Sequence, residues 1–198
     1  MAKGARTRRR ILDAAAEAFA ERGYAATSLA DVAGAAGMQA GSLYFHFAAK
    51  DALVEEVLAE ALERSLERVR AAVDATADAG PAARLDAAVR AHLDALRDLR
   101  AYAAAVLDLV AEVPPEVRRR HAERLRPYAE LWAGLVAEAQ RAGHLPRDPA
   151  APLLVGLLWG ALNASAHPRW PHEPQATADA LLALVGLRPT DGAAAPGA

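Results

Sequence analysis

Residues 37–53 read GMQAGSLYFHFAAKDAL. Three aromatic residues (Tyr44, Phe45, Phe47), a histidine and a lysine stand beside small residues, a spelling that suits neither a core helix nor a loop. A helix entering a DNA major groove must let the duplex backbone come close at its N-terminal end. "QAGS" permits this: Ala40 and Gly41 add almost no bulk, while Gln39 and Ser42 can hydrogen-bond bases or phosphates. Tyr44 and His46 carry polar tips that reach phosphate oxygens. Lys50 falls at the start of the following helix, where its charge opposes the macrodipole; a phosphate partner would explain it. Leu43 and Phe47 are expected in the core. A plain bundle, with the aromatics as a small apolar cluster and His46 at the surface, fits the same spacing.

The flanks place this stretch inside a helix-turn-helix pattern. A first helix is expected over residues 7–22, with Ile11, Leu12, Ala15 and Phe19 at three-to-four-residue spacing and Gly23 closing it. Ser28 and Asp31 have the spacing of a capping box for a second helix over 29–36, which Gly37 ends. A third runs over 39–45. Helix, glycine-containing turn, helix is the signature.

Beyond it the apolar period of 3.6 continues. The spacing predicts a fourth helix over 49–78 along Leu53, Val57, Leu62, Leu66, Val69 and Val73, with Glu60 and Arg64 as an i,i+4 pair. A fifth is expected over 82–100, a sixth over 102–111, and a seventh over 116–142 that Pro127 should kink or split. An eighth covers 151–166, a Pro-rich turn 167–174, and a ninth 175–187. The fold class is all-α with about nine helices: an N-terminal three-helix helix-turn-helix domain at 1–50 and a C-terminal helical bundle at 51–187. Residues 188–198 read as a disordered tail. No repeat of 20–50 residues is present.

Bulk properties agree. At 198 residues the chain is long enough for a core with a ligand cavity. It has no cysteine, which removes disulfides and thiol chemistry. The net charge of −2 hides an asymmetry. Residues 1–50 carry seven Lys/Arg against four acids, so the rest carries −5, and a polyanion partner is expected at one end only. The basic N-terminus lacks the apolar segment of a secretion signal. The most lipid-like run, LLVGLLWGALNASA at 153–166, is too short to span a bilayer. A soluble cytoplasmic protein without membrane partner or cofactor is expected.

The stretch RRRILDAAAEAFAERGYAATSLADVAGAAGMQAGSLYFHFAAKDALVEEVL, residues 8–58, closely resembles the DNA-binding domain of TetR-family transcriptional repressors. The match includes the initial I-L-x-A-A, the F-x-x-x-G-Y-x-x-T-S entrance and the L-Y-x-H-F-x-x-K-x-x-L exit. The resemblance implies that Thr27 and Ser28 meet phosphate at the second helix. It implies that Gln39, Ala40, Gly41 and Ser42 face bases, and that Tyr44, His46 and Lys50 contact phosphates. By the same resemblance, Arg6 and Arg8 lie in the arm that in the family often touches DNA beside helix one. Gln39 departs from the Ser common in the family, a better helix cap, and is the preferred base reader. The resemblance further implies a homodimer on a palindromic double-stranded operator, released by a small-molecule effector bound among helices four to seven.

The remainder offers candidates from its own residues. Gly156, Gly160 and Ala164 fall four apart on one helix face, with Leu153 and Leu157 alongside and Leu181 and Val185 on the ninth helix. Small residues in that register admit close helix approach, either from a second copy or from a neighbour in the same chain. For a ligand pocket, Tyr102, Tyr128, Trp132, Trp159 and Asn163 combine bulk with a polar tip, with Leu62, Leu66 and Val106 as apolar lining; each could equally be ordinary core. A loose similarity of the C-terminal part to acyl-coenzyme A-sensing members would bring Arg118, Arg119, Arg120 and Arg124 toward nucleotide phosphates. The other reading is a solvated basic face opposite the acids of helix four. Six scattered histidines, with no HExxH, nucleophile elbow or phosphate loop, give an enzyme no support. A ligand-binding bundle without DNA affinity, or an activator without derepression, are the rival functions.

Overall fold

The computed structural model describes residues 2–165 and 173–187, apart from the side chains of residues 2, 3 and 104–108. The Pro-rich turn expected at 167–174 falls almost wholly outside them, and the tail at 188–198 entirely so. The described chain is helical with no strand, and its residues group into two units: Met1–Glu63 with Leu99–Leu125, and Arg64–Asp98 with Arg126–Ala198.

The first unit is built on α1 (Ala2–Ala26), which starts earlier than its apolar stripe predicts and breaks at Gly23. Gly23 has φ 75°, a left-handed conformation that favours glycine. The Glu112 carboxylate accepts the Tyr24 N–H there at 2.8 Å, and a Cβ at position 23 would stand 3.0 Å from it. Ser28 then caps α2 (Leu29–Ala35) with the full capping box: the Asp31 N–H donates to its Oγ at 3.2 Å, and its own N–H donates to Asp31 Oδ2 at 2.8 Å. Gly37, at φ 64°, makes the turn into α3 (Ala40–Tyr44). Gln39 occupies the N-cap of α3 without a side-chain capping bond, as expected of a residue less apt than Ser.

The core of this unit is one apolar cluster. Ile11, Phe19, Val32, Leu43, Phe47, Leu53 and Val57 meet Tyr102, Leu109, Val113 and Val117. The last four come from α6 (Arg100–Glu112), its C-cap Val113 and the start of α7 (Pro115–Arg141), and α6 packs along α1. Each large side chain buried here contributes about 1.5–3 kcal/mol.

The second unit takes the later part of α4 (Lys50–Ala75), α5 (Pro81–Asp98), the later part of α7, α8 (Ala151–Ser165) and α9 (Pro174–Leu184). α4 stops short of the expected 78 because the Thr76 hydroxyl donates to the Ala72 carbonyl at 3.0 Å, and a 3-10 turn at Ala77–Ala79 follows. Pro127 does not split α7, which runs on as one helix with Tyr128 and Trp132 buried just beyond it. α5 lies against α8 and α9. Arg90 fastens it to α9, bonding Asp179 at 2.6 Å and Gln175 at 2.7 Å while also holding Asp86. Leu85, Val89, Leu135, Val136, Leu158, Leu162 and Leu182 fill the interior.

Candidate functional site

On the first unit, helical geometry divides the opening stretch cleanly. Leu43 and Phe47 are buried, four residues apart on one face. Gln39, Gly41, Ser42, Tyr44 and Phe45 are thereby turned to solvent, with Ala40 and His46 half-buried. Phe45 is 93% exposed, the extreme among the described large apolar side chains. It was not among the expected DNA contacts. The signal was available: once Leu43 and Phe47 claim the core, position 45 points outward.

The surrounding expected residues divide between free and engaged groups. Arg6 is exposed. Arg8 pairs with Glu56 at 2.8 Å and lies 4.7 Å over the Phe47 ring. Ser28 is exposed, but its hydroxyl serves the cap. Thr27 is 2% exposed, and its hydroxyl donates to the carbonyls of Gly23 at 2.8 Å and Ala18 at 3.2 Å. Its place in the set rests on position rather than on a free hydroxyl. The Lys50 ammonium donates to the Tyr24 carbonyl at 2.8 Å and sits 4.1 Å over that ring. Protein groups therefore already offset the cost of a cation at a helix start. The Tyr24 hydroxyl in turn bonds Asp51; burial first, then Asp51, pushes it up to about 12.

Four of the arginines of α7, those expected near nucleotide phosphates, are engaged within the same unit. Arg119 holds Glu116 and Glu123. Arg120 holds Glu55 of α4 at 2.8 Å and Glu116 at 2.9 Å, and Arg124 stands 3.7 Å from Glu55. Arg118 donates to the Val113 carbonyl at 3.3 Å.

The pocket candidates fall in both units. Leu62 is buried in the first, as is Tyr102, whose hydroxyl donates to Asp13 on α1 at 2.7 Å. Val106 lies in α6, its side chain outside the described set. In the second unit, Leu66 is half-buried on α4. There Tyr128, Trp132 and Trp159 gather into one ring cluster with His92 of α5. Ring centroids lie 5.4 Å apart for Tyr128–Trp159, 6.2 Å for Trp132–Trp159, 6.0 Å for His92–Tyr128 and 5.8 Å for His92–Trp132. Such tilted and edge-on pairs are the favoured aromatic arrangements.

His92 is the member the sequence did not offer. It is 6% exposed, and its Nδ1 lies 2.7 Å from the Tyr128 hydroxyl. Burial pushes the imidazole down to about 4, so it is neutral at pH 7; Asn163 opposes that push in part. Burial likewise pushes the Tyr128 phenol up. The cluster is thus uncharged, apolar in bulk and furnished with a few polar tips, the composition of a small-molecule site.

On α8, Leu153 and Leu157 are 59% and 58% exposed, and Gly156, Gly160 and Ala164 share the exposed face. No atom stands within 4 Å of a Cβ built at Gly156 or Gly160, so these glycines seat no helix of their own chain among the described residues. Leu181 and Val185 are half-buried. Among the described residues no group of three or more His, Cys, Asp or Glu could hold a metal, and no helix is long and apolar enough to cross a membrane.

A helix-turn-helix on a small core, followed by a second helical unit, is the arrangement of a transcriptional regulator with a DNA-binding head. Comparison with known proteins agrees. Residues 11–57 match the family model for bacterial regulatory proteins of the tetR family, and residues 78–185 match the tetracyclin repressor-like C-terminal domain. The chain belongs to the TetR family, and it is a transcriptional regulator rather than an enzyme. It is 33% identical over 142 residues to the HTH-type transcriptional repressor KstR2 of Rhodococcus jostii, covering 71% of this chain and 69% of that one. Its fold is similar to that of the ketosteroid transcriptional regulator KstR2 of Mycobacterium tuberculosis, with a TM-score of 0.75 and 29% identity over 90% of this chain and 92% of that one. FadR of Bacillus subtilis, solved in complex with stearoyl-CoA, shares the fold at a TM-score of 0.77 and 21% identity, covering 90% of this chain and 97% of that one.

Proposed function

We propose that the protein is a homodimeric repressor that binds a palindromic operator and is released by a small apolar effector, an acyl-coenzyme A or related lipid or aromatic metabolite. The observation that carries the DNA reading is the exposure of Gln39, Gly41, Ser42, Tyr44 and Phe45 on a helix anchored by buried Leu43 and Phe47. In this reading residues 1–50 meet the duplex in the cytoplasm, with Arg6, Arg8, Ser28, Ala40, His46 and Lys50 completing the contact surface, while the buried Thr27 side chain stays inside the head. Residues 51–187 bind effector and partner.

The effector occupies the ring cluster of Tyr128, Trp132 and Trp159, with Leu66 and Asn163 beside it. Likeness to a regulator described as a ketosteroid regulator supports a bulky, largely apolar ligand. The exposed face of Leu153, Gly156, Leu157, Gly160 and Ala164, continued by Leu181 and Val185, meets its own copy. Two recognition helices then reach successive major grooves, ~34–36 Å apart. Lowering operator affinity about 100-fold takes only about 2.7 kcal/mol of differential effector binding between the two states.

The test is fluorescence anisotropy with duplexes taken from inverted repeats flanking the gene. A nanomolar, salt-sensitive complex that footprints both half-sites is expected, weakened on addition of effector. Binding to no duplex at low salt, or to a single half-site as a monomer, would overturn the proposal.

A further inference from the structure

The peptide unit between Gly23 and Tyr24 is held from both sides. Its carbonyl, on Gly23, accepts a hydrogen bond from the buried Thr27 hydroxyl at 2.8 Å. Its N–H, on Tyr24, donates to Glu112 Oε2 at 2.8 Å. The non-helical ψ of 174° at Gly23 turns that N–H away from the carbonyl ladder of α1, so its acceptor has to come from elsewhere in the chain. The start of α4 holds the rest of Tyr24: Lys50 donates to its carbonyl and covers its ring, and Asp51 bonds its hydroxyl. This one bend fixes how α1 hands over to α2, whose N-cap Ser28 lies just past it.

Of these partners Glu112 comes from farthest along the chain. It ends α6 and lies outside residues 11–57, which match the DNA-binding family model. Its side chain is exposed, so the core does not depend on it. α6 itself is held in register with α1. Near its start Tyr102 donates to Asp13 at 2.7 Å, and Leu109 and Val113 are buried in the common core. A carboxylate on the head repels a polyanion, so it weakens DNA binding unless the bond it makes favours binding by more.

Resting on the reading of the head as an operator-binding surface, we propose that Glu112 is a positioning residue for operator recognition. By accepting the Tyr24 N–H it fixes the plane of the Gly23–Tyr24 peptide, and with it the angle at which α2 and α3 meet the duplex. It acts through the bend and touches no nucleotide.

The full-length wild type, Glu112→Ala and Glu112→Gln are titrated over a range of salt with duplexes from the inverted repeats flanking the gene. Electrostatics alone would make both variants bind more tightly, since each removes a negative charge. Positioning gives the opposite sign for one of them. Glu112→Ala is expected to bind about fivefold or more weakly, with an unchanged salt slope. Glu112→Gln, whose amide carbonyl still accepts the N–H, is expected to bind at least as tightly as wild type. Amide hydrogen exchange on the free proteins reads the bond itself: Tyr24 should exchange about tenfold faster in Glu112→Ala, with Phe19 unchanged. A Glu112→Ala protein that binds as tightly as wild type, or a Glu112→Gln protein that binds no better than Glu112→Ala, overturns the inference and leaves the DNA reading in place. Unchanged exchange at Tyr24, or faster exchange throughout α1, overturns it as well. A wild type that binds no duplex removes both the inference and the reading on which it rests.

Discussion

Gln39 sits at the N-cap of α3, exposed and making no capping bond, so its amide is free for a base edge. A bidentate amide–adenine contact is worth about 1–3 kcal/mol of discrimination. Gln39→Ala should therefore relax the operator preference at one base position per half-site without unfolding the protein; a half-site selection experiment checks it, and an unchanged preference at every position refutes it. His92 makes a prediction about pH. Its folded-state value of about 4 lies below the ordinary 6.5, so the unfolded chain binds more protons between those values. Stability is full above the unfolded value and is lost as the pH falls through the window from 6.5 to 4. His92 alone then contributes a loss of about 2 kcal/mol between pH 7 and pH 5. Urea denaturation of wild type against His92→Phe at both pH values should show the variant losing less. His121, also pushed down by burial and then by Arg124, adds to the trend in both proteins.

At the scale of elements, α8 carries its own test. Its inner residues Leu154, Leu158 and Leu162 are buried, and its outer face shows Leu153 and Leu157 around two open glycines. Leu157→Glu on the outer face should leave the fold intact, yet shift the protein to a monomer in sedimentation and weaken operator binding by 100-fold or more. A stable dimer in the variant would refute that use of the face. What the sequence made legible follows the same divide between local and distant. The Ser28–Asp31 capping box, the glycine turns and the burial of Leu43 and Phe47 depend on neighbours within four residues, and the spacing predicts them. The early end of α4 at Ala75 turns on one threonine hydroxyl competing for carbonyls, which an apolar period does not register. His92 escaped because its partner Tyr128 is 36 residues away on another helix, and an isolated histidine in an alanine-rich helix carries no mark of that. Thr27 looked like a surface hydroxyl until its bonds to Ala18 and Gly23 turned it inward.

For the whole molecule, the division into two units cuts across chain order. α4 and α7 each give residues to both, and α6 belongs with α1. The chain passes from one unit to the other three times, within α4, between α5 and α6, and within α7. Composition hinted at a basic head and an acidic remainder, but it could not say that the head's interior is completed by residues near position 110. A fragment of residues 1–57 should consequently melt at least 10 °C below the intact protein or fail to fold, since it lacks Tyr102, Leu109, Val113 and Val117. Thermal circular dichroism settles this; matching melting curves would refute it.

The Glu112 carboxylate gripping the Tyr24 amide has a practical corollary for protein engineering. A chimera that grafts this reading head onto a foreign sensor cannot end its insert at the close of the helix-turn-helix. The sixth helix has to travel with the graft, or the recipient must supply an acid at the same point to hold the bend at Gly23.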